Sequence, residues 1–129
     1  MRSMIWFVAG GSAAGGVCRY LLSGLLQPRT AAAFPMGTFI VNLSGAVAVG
    51  FVIRWALATP AVTPEMRAFL TTGFLGGYTT FSAFSYESIA LIEAGEPRRA
   101  ALYVVSSVVL SLIGTVLGIG AADWIVARR

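Results

Sequence analysis

The sequence predicts an all-α membrane protein with four transmembrane helices, the third of them broken. Three observations carry that expectation. Of the 129 residues, 57% are hydrophobic and only 11% charged, where soluble domains run near a quarter charged. Four stretches, 3–18, 30–53, 68–86 and 100–122, contain no charged residue at all. Between them lie short connectors rich in breakers, Gln27-Pro28-Arg29, Thr59-Pro60 through Pro64, and Ala94-Gly95-Glu96-Pro97. A helix rises about 1.5 Å per residue and needs about 20 residues to cross the hydrocarbon core. The predicted spans are therefore 4–26, 35–58, 65–93 and 99–126, in one domain covering 1–129. No connector leaves room for a soluble domain.

Composition also excludes chemistry. There is no His, one Cys (Cys18) and five carboxylates, so neither an internal disulfide nor a Cys/His metal site can be assembled. All nine basic residues are Arg, scattered at the ends of apolar runs. They read as interface anchors and not as a nucleic-acid patch.

The first span follows Arg2, and its run up to Ala9 is too short for a signal-peptide core before Gly10-Gly11 interrupts it. It is kept as a mature span. With four spans, Arg2, Arg54, Arg67, Arg128 and Arg129 fall on one side of the membrane, and Arg19, Arg29, Arg98 and Arg99 on the other. Five against four is almost no bias for the positive-inside rule to act on. Dual insertion follows, with inverted copies pairing as an antiparallel homodimer, an arrangement that larger transporters encode as inverted repeats. The pairs Gly11/Gly15, Ala46/Gly50 and Gly114/Gly118 have small-xxx-small spacing. Such spacing serves close helix packing, between subunits or within one chain.

The second span carries Asn42, costly in hydrocarbon unless paired or facing water. It either bonds a neighbouring helix or lines an ion path. At the centre of the third span stands Gly73-Phe74-Leu75-Gly76-Gly77-Tyr78-Thr79-Thr80-Phe81-Ser82. Three Gly and two β-branched Thr make a poor helix interior, so the helix is predicted to break near the midplane. Freed carbonyls there, meeting those of a second copy, would suit a hard monovalent cation. Phe81 and Phe84 share a helical face beside Ser82 and Ser85, and aromatic ring edges carry partial positive charge. The fourth span places Tyr103, Ser107, Ser111 and Thr115 at steps of four, with Ser106 beside them. Any one hydroxyl could bond back to its own helix; four in register suggest a polar stripe. These groups together outline a path for an anion or small polar solute, and they go no further.

At these residues the sequence resembles the Fluc/CrcB family of fluoride channels. The matching stretches are Gly10-Gly11 with Gly15-Gly16-Val17-Cys18-Arg19-Tyr20, then Pro35-Met36-Gly37-Thr38 with Val41-Asn42 and Gly45. The third is the run from Gly73 to Ser82, continuing Ala83-Phe84-Ser85-Tyr86-Glu87. Departures are Gly16 and Leu75, where Ala and Cys are common, and Ala83, where Thr is common. The resemblance implies a dual-topology homodimer in the bacterial inner membrane, with two fluoride pores lined by both subunits. Phe81 and Phe84 would present ring edges to the ion, with Asn42 beside them. Thr38, Ser82, Tyr103, Ser107 and Ser111 would belong to the same path. A central Na⁺ would be held by the backbone carbonyls of Gly76 and Thr79 from both chains. The implied role is passive export: hydrogen fluoride enters neutral, dissociates, and the trapped anion leaves. Arg19 reads as an interface anchor or vestibule charge, and Glu87 as a structural hydrogen-bonding residue.

Rival readings are weaker. A small multidrug transporter shares the architecture, but needs an ionisable group at depth in its first span, and that span has no carboxylate. A non-transporting assembly subunit would use its polar residues only as helix glue. A membrane enzyme would lack a nucleophile–base pair.

Overall fold

The computed structural model describes residues 2–27 and 34–128. Arg29, Arg129 and most of the predicted Gln27-Pro28-Arg29 connector lie outside them. Among the described residues all regular structure is helical. The elements are α1 (Arg2–Leu26), α2 (Met36–Ala58), α3 (Pro64–Ala68), a π-helical segment (Phe69–Leu75), α4 (Gly76–Tyr78), α5 (Phe81–Glu93) and α6 (Pro97–Val126). Three stretches, Met4–Leu26, Met36–Ala58 and Pro97–Val126, are long and apolar enough to cross a membrane.

Two helices begin earlier than their charge pattern suggests, and proline is the reason. Pro97 opens α6 two residues before the expected start, and Pro64 opens α3 one residue before it. A first-turn residue needs no N–H donor, and the proline ring already holds a helical φ. Thr63 caps α3, its hydroxyl accepting from the Met66 N–H at 3.2 Å.

The predicted third span is interrupted, and the interruption falls on the threonines rather than the glycines. Thr79 (φ −80°, ψ 158°) and Thr80 (φ −148°, ψ 117°) are extended, a conformation that suits β-branched residues. Gly73, Gly76 and Gly77 remain helical. Gly73 and Gly77 answer to packing instead. A β-carbon on Gly73 would lie 3.0 Å from Gly11 Cα, and one on Gly77 would lie 2.5 Å from the Ser12 carbonyl oxygen. The wider π-helical turn just before the interruption is a common companion of functional sites.

Packing settles the small-residue pairs. Gly11 and Gly15 face the backbone of residues 69–78, Gly50 faces Thr115, and Gly114 and Gly118 face Val47. Thr115 Oγ1 donates to the Ala46 carbonyl at 3.1 Å. All three pairs therefore close contacts within the chain. These contacts run α1 parallel to the third segment series and α2 parallel to α6, whose ends are tied by Arg54 Nε to Asp123 Oδ1 at 2.5 Å. Arg128 lies over the Trp124 ring at 3.5 Å.

One buried cluster joins Leu91, Ala100 and Tyr103, with Phe34, Phe39 and Phe84 against them, while Val41, Ala56, Val62, Leu75 and Ala122 are buried elsewhere. Large apolar side chains cover the outside instead, including Trp6, Leu25 and, along α6, Leu102, Val105, Leu112 and Val116. Water does not tolerate so continuous an apolar exterior; acyl chains do. This is a helical membrane protein.

Candidate functional site

The interruption after α4 organises the site, because its backbone groups must find partners outside the helix. Asn42, on α2, supplies two. Its Nδ2 donates to the Thr80 carbonyl at 3.0 Å, and its Oδ1 accepts the Thr80 N–H at 2.8 Å. The amide thus pairs with a neighbouring segment and, with one N–H of its NH₂ still uncommitted, also borders a cavity. The Thr80 hydroxyl caps α5 by accepting the Ala83 N–H at 3.3 Å. Arg19 Nε donates to the Gly77 carbonyl at 3.2 Å.

These diversions free two carbonyls. In an unbroken helix the Thr80 N–H would bond to Gly76 and the Ala83 N–H to Thr79. Both donors go elsewhere, to Asn42 and to the Thr80 hydroxyl. The carbonyls of Gly76 and Thr79 thereby lose their helical donors, and both residues border the same cavity as Asn42. Paired free carbonyls are oxygen ligands of the kind that hard cations take.

That cavity has a volume of about 400 Å³ and opens on the face of the chain. Besides Asn42, Gly76 and Thr79, it is lined by Phe81, Phe84, Ser107 and Ser111. The Phe81 and Phe84 ring centroids lie 5.6 Å apart at 41°. Phe84 is also braced on Tyr103, centroid to centroid 5.3 Å, whereas Phe81 is 79% exposed. Of the α6 hydroxyls, Ser106 and Thr115 bond back to Leu102 and Ser111. The Ser107 hydroxyl is buried and has no partner among the described residues. Among the described residues, no charged side chain lines this cavity.

A second cavity, of about 280 Å³, shares Thr80 with the first. Arg19, Tyr20, Gln27, Thr38 and Glu87 line it. Glu87 accepts from Thr38 Oγ1 through Oε1 and from the Tyr103 hydroxyl through Oε2, each at 2.7 Å. Three helices meet on that one carboxyl group.

The residues predicted for one path are therefore distributed. Asn42, Phe81, Phe84, Ser107 and Ser111 come together in the first cavity. Thr38 belongs to the second. Tyr103 lines neither and spends its hydroxyl on Glu87, while Ser82 is exposed, lines neither, and shares a 3.3 Å hydrogen bond with Thr80. Thr80 was absent from the predicted set. Its signal was the Thr79-Thr80 doublet, whose second hydroxyl has the spacing of an N-cap to Ala83.

Comparison with known proteins decides the relationship. The family model described as CrcB-like protein, Camphor Resistance (CrcB), matches residues 6–119. The chain belongs to the CrcB family. Among its CrcB relatives, a fluoride-specific ion channel FluC from Geotalea daltonii is 46% identical over 97% of this chain and 100% of its own length. The protein of the same name from Geobacter sulfurreducens is 50% identical over 85% of this chain and 89% of its own. That from Aquifex aeolicus is 43% identical over 89% and 93%.

A stability test of this CrcB site is direct. Tyr103→Phe removes one hydrogen bond to Glu87 and keeps the ring against Phe84. The expected loss is about 1 kcal/mol, read as a lower thermal midpoint of the purified protein.

Proposed function

We propose that this chain conducts fluoride passively across the bacterial inner membrane, exporting it, and that it works as an antiparallel homodimer of four-span subunits. The observation that carries the reading is the first cavity. Phe81 and Phe84, the Asn42 amide and the Ser107 hydroxyl, which has no partner among the described residues, border it together, and no described cationic side chain lines it to trap an anion. A conducted ion needs contacts strong enough to replace hydration and weak enough to release it. Neutral donors and ring edges meet both requirements. The relatives named as fluoride-specific channels supply the ion.

The dimer reading draws on two features. The cavity is open on the chain's face, beside the exposed Phe81, so a second copy would complete its wall. The arginines divide five to four between the two sides. Within the pair, Ser111 and Ser107 on α6 lead toward the rings, and Tyr103 holds Phe84 in place. The free carbonyls of Gly76 and Thr79 would hold a Na⁺ between the two chains, which supplies positive charge where the inverted subunits meet.

The test is efflux of fluoride against chloride from liposomes holding the purified protein, with and without Na⁺ and with no proton gradient. Fluoride efflux and no chloride efflux are expected. Phe81→Ile and Phe84→Ile keep bulk and lose the ring edge, so each should slow fluoride up to about tenfold while the dimer persists. Wild-type flux in both variants would remove the ring-edge mechanism.

A further inference from the structure

Three consecutive residues at the interruption are each held by one turn of α2. The Tyr78 hydroxyl shares a 2.8 Å hydrogen bond with Ser44 Oγ. Thr79 sets its Cγ2 methyl in the space that a side chain at position 45 would fill, so only Gly45 admits it. Thr80 is bonded to Asn42 through both its backbone N–H and its carbonyl.

The consequence for the carbonyls follows from peptide geometry. The Thr79 carbonyl and the Thr80 N–H belong to one peptide plane. No cis bond occurs among the described residues, so the two groups point in opposite directions. Asn42 Oδ1, by holding that N–H, aims the Thr79 carbonyl away from α2. The same bond withdraws the donor that would otherwise occupy the Gly76 carbonyl. Gly45 lets the Thr79 residue approach α2 closely enough for the bond to form. Ser44 fixes Tyr78, which lies in sequence between the two carbonyl-bearing residues.

We infer that Asn42, Ser44 and Gly45 of α2 are positioning residues for the cation, setting the direction and availability of the Gly76 and Thr79 carbonyls without touching the ion. The inference rests on the cation reading proposed above and deepens it. Groups that orient metal ligands from behind commonly change metal affinity by about 10–100-fold when altered.

The experiment is a Na⁺ titration of the thermal midpoint of the purified full-length protein, with choline replacing Na⁺ at constant ionic strength. Binding to the folded state raises the midpoint saturably. Gly45→Ala should raise the Na⁺ needed for half the rise by about 10–100-fold. Ser44→Ala adds no volume and should shift the titration about threefold, the scale of one hydrogen bond; it carries the comparison by itself if Gly45→Ala yields no folded protein. A Na⁺-dependent wild type with Gly45→Ala and Ser44→Ala both at the wild-type titration point overturns the inference alone. A wild type indifferent to Na⁺ removes the cation site and the inference together.

Discussion

Replacing Asn42 by Leu is expected to stop fluoride conduction and to loosen the interruption of the third span at once. The substitution is close to isosteric, so it opens no large cavity. It removes both the acceptor for the Thr80 N–H and the donor to the Thr80 carbonyl. Each backbone group left without a partner away from water costs about 1–3 kcal/mol. Asn42→Asp separates the two roles. It keeps an acceptor for the Thr80 N–H but loses the donor, and it offers an anion beside the path. The Asp variant should therefore retain more of the thermal stability than the Leu variant while conducting poorly. Liposome efflux and the thermal midpoint, measured on both, test this. Leu-substituted protein that conducts at the wild-type rate would mean that Asn42 serves neither the path nor the interruption.

The second large effect is expected at Gly15. A β-carbon there would run into the Phe74 carbonyl and lie 2.8 Å from the Tyr78 backbone nitrogen. Neither atom can swing aside as a side-chain tip could, so α1 must move off the third segment series. Overpacking of this kind costs about 1–3 kcal/mol, and more when backbone is the obstacle. Gly15→Ala should therefore reduce recovery of folded protein sharply. Gly16→Ala, one residue along the same helix, is the control: open space surrounds that position. Its stability should stay within about 0.5 kcal/mol of wild type. Equal recovery of the two variants would show that α1 does not pack on residues 69–78 as described.

How much of this the sequence revealed depended on the range of each interaction. The apolar runs outlined α1, α2 and α6 to within two residues, because burial in lipid is a property of a whole helix. The four-residue step through Tyr103, Ser107, Ser111 and Thr115 put them on one helical face, since helical periodicity is local, and none of the four is exposed. It did not distinguish the free Ser107 hydroxyl from Ser106 and Thr115, which bond back to their own helix. Tertiary surroundings decide that. The Gly and Thr run signalled the interruption, which falls on Thr79 and Thr80 at its end; Gly73 and Gly77 answer instead to α1, some 60 residues away in sequence. The Thr38, Glu87 and Tyr103 cluster draws one residue from each of three helices, so no spacing within any one of them announces it.

Thr80 borders both cavities, so a single stretch of extended chain is common to the walls of the two recesses. Two extended residues reach about 7 Å, against roughly 30 Å of hydrocarbon in a bilayer. A fluoride path that joined the two recesses would run past this threonine pair, where the shared wall is short beside the thickness of the membrane.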